Sequence, residues 1–325
     1  MSQPADIVLI GLDWGSTNLR AYAWDAAGNV VDRRHSDAGA LTRKGESAFD
    51  VALVALVGEW AQAHPGAKLI ACGMVGARTG WREAPYVECG VGTELTPPGV
   101  GMERRLAAGA IAVATSLGRP LTIIPGMMSS EPDVMRGEET QIVGSGVANG
   151  IVVCPGTHSK WVRVMTGHVE SFATFFTGEM HALIRDHSSV GKALNAAPTL
   201  TDGQSFHLGL SYARSGAASW LHDLFVMRAA VVTGAKTAEQ VSTVLSGWLL
   251  GSEFAAALTM YPDAREISLV ASDALVPWYE RTAEAFGVQV NALDAEAATA
   301  RGLWRIAQQR TDCASKVAMK PVNTA

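Results

Sequence analysis

The chain has 325 residues, of which 48% are hydrophobic and 18% charged, with a formal net charge of −5. That length exceeds one ordinary core and predicts two domains around a cleft. The composition excludes an intrinsically disordered chain, and the acidic balance excludes nucleic acid as the main partner, since that demands a basic face.

From the N-terminus, Met1 to Asp6 is polar and runs straight into an apolar stretch, so no signal peptide is expected. Ile7 to Leu12 reads as a buried strand, and Leu19 to Trp24 as a second. The turn Ala26-Ala27-Gly28-Asn29 leads into a third strand, Val30 to Arg34. A helix is predicted over 47–64, closed by Pro65-Gly66, then a strand from Leu69 to Gly73 that enters a glycine-studded segment reaching Gly92. Met102 to Leu117 reads as a helix and Leu121 to Pro125 as a strand.

The opening pattern then returns. Gly150 to Cys154 is an apolar strand, Pro155 to Lys160 a turn of small and hydroxylated residues, Trp161 to Met165 an alternating strand, and Thr166-Gly167 a second turn into a strand from His168 to Phe172. The two units share a pattern, not residue identities. Helices are predicted over 217–233, 237–259, 277–286 and 295–309, with one strand among them, Glu266 to Ala271. The apolar stretch from Val241 to Met260 contains Ser246, Gly247, Gly251, Ser252 and Glu253, which marks a buried helix rather than a membrane span. The expected division is 1–146, 147–311 and a flexible tail 312–325, with Gly144 to Gly150 as hinge and the last helix free to pack back on the first lobe. Cys72, Cys89, Cys154 and Cys313 form no CxxC pair and no metal-ligand spacing, so they read as reduced thiols of a cytoplasmic protein.

The two turns are the candidate anion sites. In Asp13-Trp14-Gly15-Ser16-Thr17-Asn18-Leu19-Arg20, Gly15 permits a tight turn with converging N–H groups. Ser16 and Thr17 add hydroxyls there, and Arg20 a fixed fork of donors. Asp13 repels phosphate, so beside one its role is to hold Mg²⁺. In the second turn, Gly156, Thr157, His158 and Lys160 follow the same logic. Either turn alone is also an ordinary hairpin; the two together are informative. Neither GxxxxGK nor GxGxxG occurs.

The strand–DWGSTNLRA–strand opening resembles the first phosphate motif of the sugar-kinase, hsp70 and actin superfamily. DWGSTNLRAY, CGMVGARTGW with APYVECG, MRGEETQIVG and PGTHSKWV together look like the 2-keto-3-deoxygalactonate kinases, with matches in order from Ile7 to about Glu179. The resemblance implies an α/β fold of two actin-like (ribonuclease H-like) lobes around a nucleotide cleft. It implies a sugar-acid kinase using ATP and Mg²⁺ on the 6-hydroxyl of 2-keto-3-deoxygalactonate, with closure between the lobes excluding water.

Superfamily sugar kinases carry their catalytic acid near a glycine before the second lobe, which points to Glu138, with Glu139 as alternative; an acidic first helical turn is the plainer reading. For the substrate carboxylate the candidates are Arg78, in the glycine-rich loop 73–81, and Arg136, with Trp81 and Tyr86 as walls to the carbon chain or, for Trp81, as core. The glycine pair that related kinases place at the nucleoside is missing after Val270, and Gly247 and Gly251 read as helix packing. Rival readings are the same chemistry on 2-keto-3-deoxygluconate or a neutral sugar, and a nucleotide-dependent sensor. No membrane partner is expected, and exposed apolar helices would be compatible with a homodimer.

Overall fold

The computed structural model describes residues 6–90, 101–194, 196–214 and 220–317, with 310–317 as backbone alone. The chain divides into two compact units, the first comprising 1–149, 164–171 and 295–325 and the second 150–163 and 172–294.

In the first unit, β1 (Leu9–Trp14), β2 (Leu19–Trp24) and β3 (Val30–Ser36) form an antiparallel meander, followed by α1 (Glu46–Ala63) and β4 (Lys68–Gly73). Then come β5 (Tyr86–Glu88), α2 (Met102–Gly109), β6 (Ile111–Val113), β7 (Leu121–Ile123), β8 (Gly126–Met128), β9 (Val134–Met135) and α3 (Glu138–Ser145). The main sheet runs β3-β2-β1-β4-β7-β6, with β4 parallel to β1 and β7 parallel to β4; β5-β8-β9 make a small second sheet. The apolar run of β1 is central in the sheet, which is why its residues are buried on both faces rather than alternating.

In the second unit, β10 (Gly150–Cys154), β11 (Ser159–Met165) and β12 (His168–Phe175) repeat the opening, and the tip of the β11–β12 hairpin, 164–171, groups with the first unit. Thr166 and Gly167 both have positive φ, 49° and 75°, the backbone of a two-residue hairpin turn. Next are α4 (Thr177–His187), α5 (Gly203–Arg214), α6 (Trp220–Val232), α7 (Ala238–Met260), β13 (Glu266–Ala271), α8 (Val276–Phe286) and β14 (Gln289–Asp294). The sheet order β12-β11-β10-β13-β14 matches β3-β2-β1-β4-β7 of the first unit, so the pattern repeat is a repeat of topology. α9 (Ala295–Val317) returns to the first unit, where it crosses α3 at glycines: a Cβ on Gly302 would collide with the Thr140 carbonyl, and one on Gly144 with that of Ala298.

Several expectations need correction. The helix expected over 102–117 stops at Gly109, because Ile111 and Val113 pair antiparallel with Ile123 and Leu121 at the sheet edge. A second strand, β14, lies among the late helices, its mostly exposed residues giving no apolar signal. Gly144, at the start of the expected hinge segment, lies within α3 and is buried where that helix crosses α9. The expected tail from Asp312 is helical to Val317, and 318–325 lie outside the described residues.

α7 is the one described helix long and apolar enough to cross a membrane, and 78% of its most apolar window is buried inside the fold. It starts with a capping box in which Thr237 and Gln240 satisfy each other's backbone N–H groups. No disulfide joins the described cysteines, of which Cys72 and Cys154 are buried; the side chain of Cys313 lies outside the described residues.

Candidate active site

The first hairpin turns between β1 and β2, where Gly15 N donates to Asn18 O at 2.9 Å. Its carbonyls are all taken from behind: Gly15, Ser16 and Thr17 accept from Ala40, Leu41 and Gly39 N–H groups at 2.9, 3.0 and 3.1 Å. Gly39 must be glycine for this, since a Cβ would fall on the Thr17 backbone. With its carbonyls fixed on one side and Thr17 exposed, the turn presents polar atoms on the other.

Asp13 and Arg20 are opposed in the β1–β2 register and their side chains meet at 3.2 Å. Burial pushes the Asp13 carboxyl above its ordinary value, and the Arg20 guanidinium offsets this only in part. Cys72 lies beside Asp13 on β4.

β4 ends at Gly73, whose φ of +88° and tight approach to the Trp14 carbonyl exclude a side chain. Gly137, with φ of +114°, sits against Gly73 and opens α3, so the first turn of α3 starts beside the end of β4. Glu138 is half-buried there, with Oε2 accepting from Arg136 N at 3.0 Å. Glu139 is fully buried, accepting from Gly137 N at 2.7 Å and from Thr140 Oγ1 at 3.0 Å. Burial, and then the charge of Glu138, push the Glu139 carboxyl up to about 7.

Arg136 lies over the Tyr86 ring at 4.3 Å and donates Nη2 to Ala84 O at 2.9 Å. Its Nε and Nη1 are buried without a hydrogen-bond partner among the described residues, Nη1 lying against Gly76, where a Cβ would come within 2.9 Å. Arg78 is exposed two residues further along the same loop. Trp81 requires correction as a substrate wall: it is 4% exposed, with Trp14 at 6.2 Å and Phe49 at 6.1 Å, an aromatic core cluster.

The second hairpin is braced differently. Gly178 packs so tightly on Gly156 that a Cβ would collide with its carbonyl, while Glu179 N donates to Thr157 O at 2.8 Å. His158 contacts the Glu179 carboxylate at 2.6 Å and stacks on Phe176 at 5.2 Å. Lys160, expected to offer its ammonium at the turn, needs correction: it is 4% exposed and donates to Thr174 Oγ1 at 2.8 Å, because it lies within β11 rather than in the turn.

Beside this hairpin lies a cavity of about 320 Å³ whose wall includes Pro155, Gly156, Gly178, Leu249, Leu275 and Trp278. Its mostly apolar wall against a polar turn is the kind of surface that takes a flat ring with a charged tail. His181 also lines it, with burial holding its imidazole below the ordinary value. Gly247 and Gly251 serve helix packing, against Phe206 and Ala213 of α5. Beneath hairpin and cavity lies Glu253 with a set of side-chain donors that sequence reasoning missed. The available signal was a charged residue inside an otherwise apolar helix, which has to be partnered when buried.

Residues 13–306 match the model of the family described as 2-keto-3-deoxy-galactonokinase. A 2-dehydro-3-deoxygalactonokinase of Escherichia coli K12 is 34% identical over 308 residues, covering 92% of this chain and 97% of the relative. A solved structure from Sinorhizobium meliloti, assigned as a 2-dehydro-3-deoxygalactonokinase, superposes with a TM-score of 0.81 at 32% identity, covering 92% of this chain and 98% of that one. A xylulose kinase from Lactobacillus acidophilus, at 10% identity and a TM-score of 0.51 over 94% of this chain and 89% of its own, shares the fold alone, that of the actin-like sugar kinases. With nearly its whole length matched, the chain belongs to the 2-keto-3-deoxy-galactonokinase family, a family of ATP-using phosphotransferases that act on an alcohol group.

Proposed function

We propose that this kinase transfers the γ-phosphate of ATP to the 6-hydroxyl of 2-keto-3-deoxy-D-galactonate, in the cytoplasm, as a step of galactonate breakdown. The observation that carries the reading is the duplicated hairpin: two sheets of one strand order, each opening with a glycine turn, the first with three carbonyls held from behind and the second with one, that of Thr157. Such turns leave N–H and hydroxyl donors for phosphate oxygens. Gly15, Ser16, Thr17 and Arg20 on the first hairpin, and Gly156, Thr157 and His158 on the second, are assigned to phosphate oxygens of ATP, with the nucleoside in the cavity beside Gly156.

Asp13 fits a divalent cation, because burial makes its carboxylate costly and Arg20 is the one side chain bonded to it among the described residues. The described residues contain no cluster of three or more metal-ligating side chains, so the fit is to an ion that takes one carboxylate and otherwise phosphate oxygens and water, as Mg²⁺ does. Bound there, Mg²⁺ would neutralise charge on the phosphates.

Glu138 is assigned as the base. In the transfer the substrate oxygen bonds to the γ-phosphorus, the bond from that phosphorus to the β,γ-bridging oxygen breaks, ADP leaves, and the hydroxyl proton passes to Glu138. Glu138 is preferred over Glu139 because Glu139 has no exposed surface from which to reach a substrate. Arg136 is assigned to the substrate carboxylate with Arg78 beside it, since its two unsatisfied buried donors are costly until an anion reaches them. Tyr86, 37% exposed and stacked on Arg136, supports that side chain.

A coupled ADP-release assay across a panel of sugar acids tests the proposal: turnover is expected with 2-keto-3-deoxygalactonate and to be low without any sugar acid. A preference for 2-keto-3-deoxygluconate would reassign the substrate, a preference for a neutral sugar would also remove Arg136 from its role, and sugar-independent hydrolysis would favour a sensor. For the expected homodimer the best surface is α6, where Trp220, Leu221, Phe225 and Val232 are exposed, and sedimentation velocity reads the outcome.

A further inference from the structure

α7 is apolar along almost its whole length, yet Glu253 near its middle is only 3% exposed. An isolated carboxylate there would be strongly disfavoured, so its partners define what it does. Oε1 accepts from Ser159 Oγ at 2.7 Å and Trp161 Nε1 at 2.9 Å; Oε2 accepts from Thr177 Oγ1 at 2.5 Å; Tyr279 Oη reaches both oxygens at 3.1 Å.

These donors are not scattered through the core. Ser159 follows His158 directly at the end of the second hairpin, Thr177 precedes the Gly178 that abuts Gly156, and Thr177 and Tyr279 line the cavity. One carboxylate therefore ties β11, the first residue of α4, and α8 to α7, and these are the elements that carry the hairpin and the cavity wall.

We propose that Glu253 is a positioning residue for the nucleotide, setting the second hairpin against the cavity wall through Ser159, Trp161, Thr177 and Tyr279. It touches no substrate. This rests on the assignment of hairpin and cavity to ATP made above.

Glu253→Gln is the clean test. Trp161 Nε1 can only donate, so the amide oxygen must take the place of Oε1, and the amide nitrogen then meets Thr177 and Tyr279, whose hydroxyls can turn to accept. The variant keeps the shape and loses the charge that shortens and stiffens the bonds. It is expected to fold, to raise KM for ATP and weaken nucleotide affinity by calorimetry about tenfold, and to leave KM for the sugar acid within about twofold. A merely structural carboxylate would lower the melting temperature and leave the KM for ATP of the folded protein unchanged, and that result overturns the proposal. Should Glu253→Gln fail to fold, Ser159→Ala and Trp161→Phe each remove a single donor and are expected to raise KM for ATP about threefold; wild-type nucleotide affinity in both overturns the inference while the kinase reading stands. If the wild-type protein itself binds no ATP, both fall together.

Discussion

The two hairpins have one topology and are held in place by different means. The first is backed by main chain: three successive carbonyls of its turn accept from the N–H groups of Gly39, Ala40 and Leu41. The second has one such bond, Glu179 N to Thr157 O, and is otherwise fixed by the contact of Gly178 with Gly156 and by the Glu253 carboxylate below. Their charges differ as well. The first ends in an ion pair open to solvent on its Arg20 side, while the basic residue of the second, Lys160, is buried in its strand. Equal folds thus carry unequal side chains, an Asp13–Arg20 pair on the first hairpin and a buried Lys160 with a His158–Glu179 contact on the second.

The largest effect expected from that difference is at Asp13. Asp13→Asn should lower kcat by about 10³-fold while the protein still folds, as follows if its carboxylate holds the proposed metal ion. Normal turnover would erase the distinction between the hairpins. Next, Glu138→Gln should reduce kcat by about 10²- to 10⁴-fold, the range for a lost general base, and Glu139→Gln by much less. The reverse order, read by steady-state kinetics, would make the buried carboxylate the base.

Glu139 also gives a pH signature. Its folded value of about 7 lies above the ordinary 4.5, so between these the native state holds a proton that the unfolded state has released. Stability should therefore fall as pH rises from about 4.5 to about 7 and level off beyond, by at most about 3 kcal/mol from this group. Denaturant melts of Glu139→Gln across that range should show a shallower slope; Asp13 and Glu253, whose values are also raised by burial, contribute with the same sign and keep it from vanishing.

The bracing itself can be broken on either side. Gly39→Ala and Gly178→Ala each force a methyl into backbone and should cost about 1–3 kcal/mol in denaturant melts. Gly178→Ala should raise KM for ATP more than Gly39→Ala does, since the second hairpin has less main chain to hold it. Equal effects would mean that the two braces are equivalent. The smallest effect on activity is expected for Trp81→Phe, which should lower the melting temperature by a few degrees and leave both KM values unchanged. A raised KM for the sugar acid would return Trp81 to the pocket.

Where a local pattern was enough, it was legible in the sequence. β2, Leu19–Trp24, and β13, Glu266–Ala271, have the bounds that their runs of alternating or apolar residues predict. β14 was hidden because its residues are mostly exposed and only the neighbouring β13 makes it a strand. β6 was hidden because Ile111 to Val113 continues the apolar spacing of the helix before it. At the site, the motifs picked out both glycine turns and the acidic pair at Glu138 and Glu139, since each is contiguous in the chain. Glu253 and its partners could not be found that way: they stand 26 to 94 residues apart and share no spacing.

By itself the sequence determined what depends on near neighbours: which segments are strands or helices, where the backbone can turn tightly, and that the opening pattern occurs twice. Tertiary structure alone decided the rest. It buried Lys160 and Trp81, set Arg136 over Tyr86, left Glu138 accessible while enclosing Glu139, and gathered four distant donors around one carboxylate. The reason is physical. Propensity and periodicity act over a few residues, whereas burial and the partner of a charge depend on which segments meet in space, and in this chain those segments are far apart.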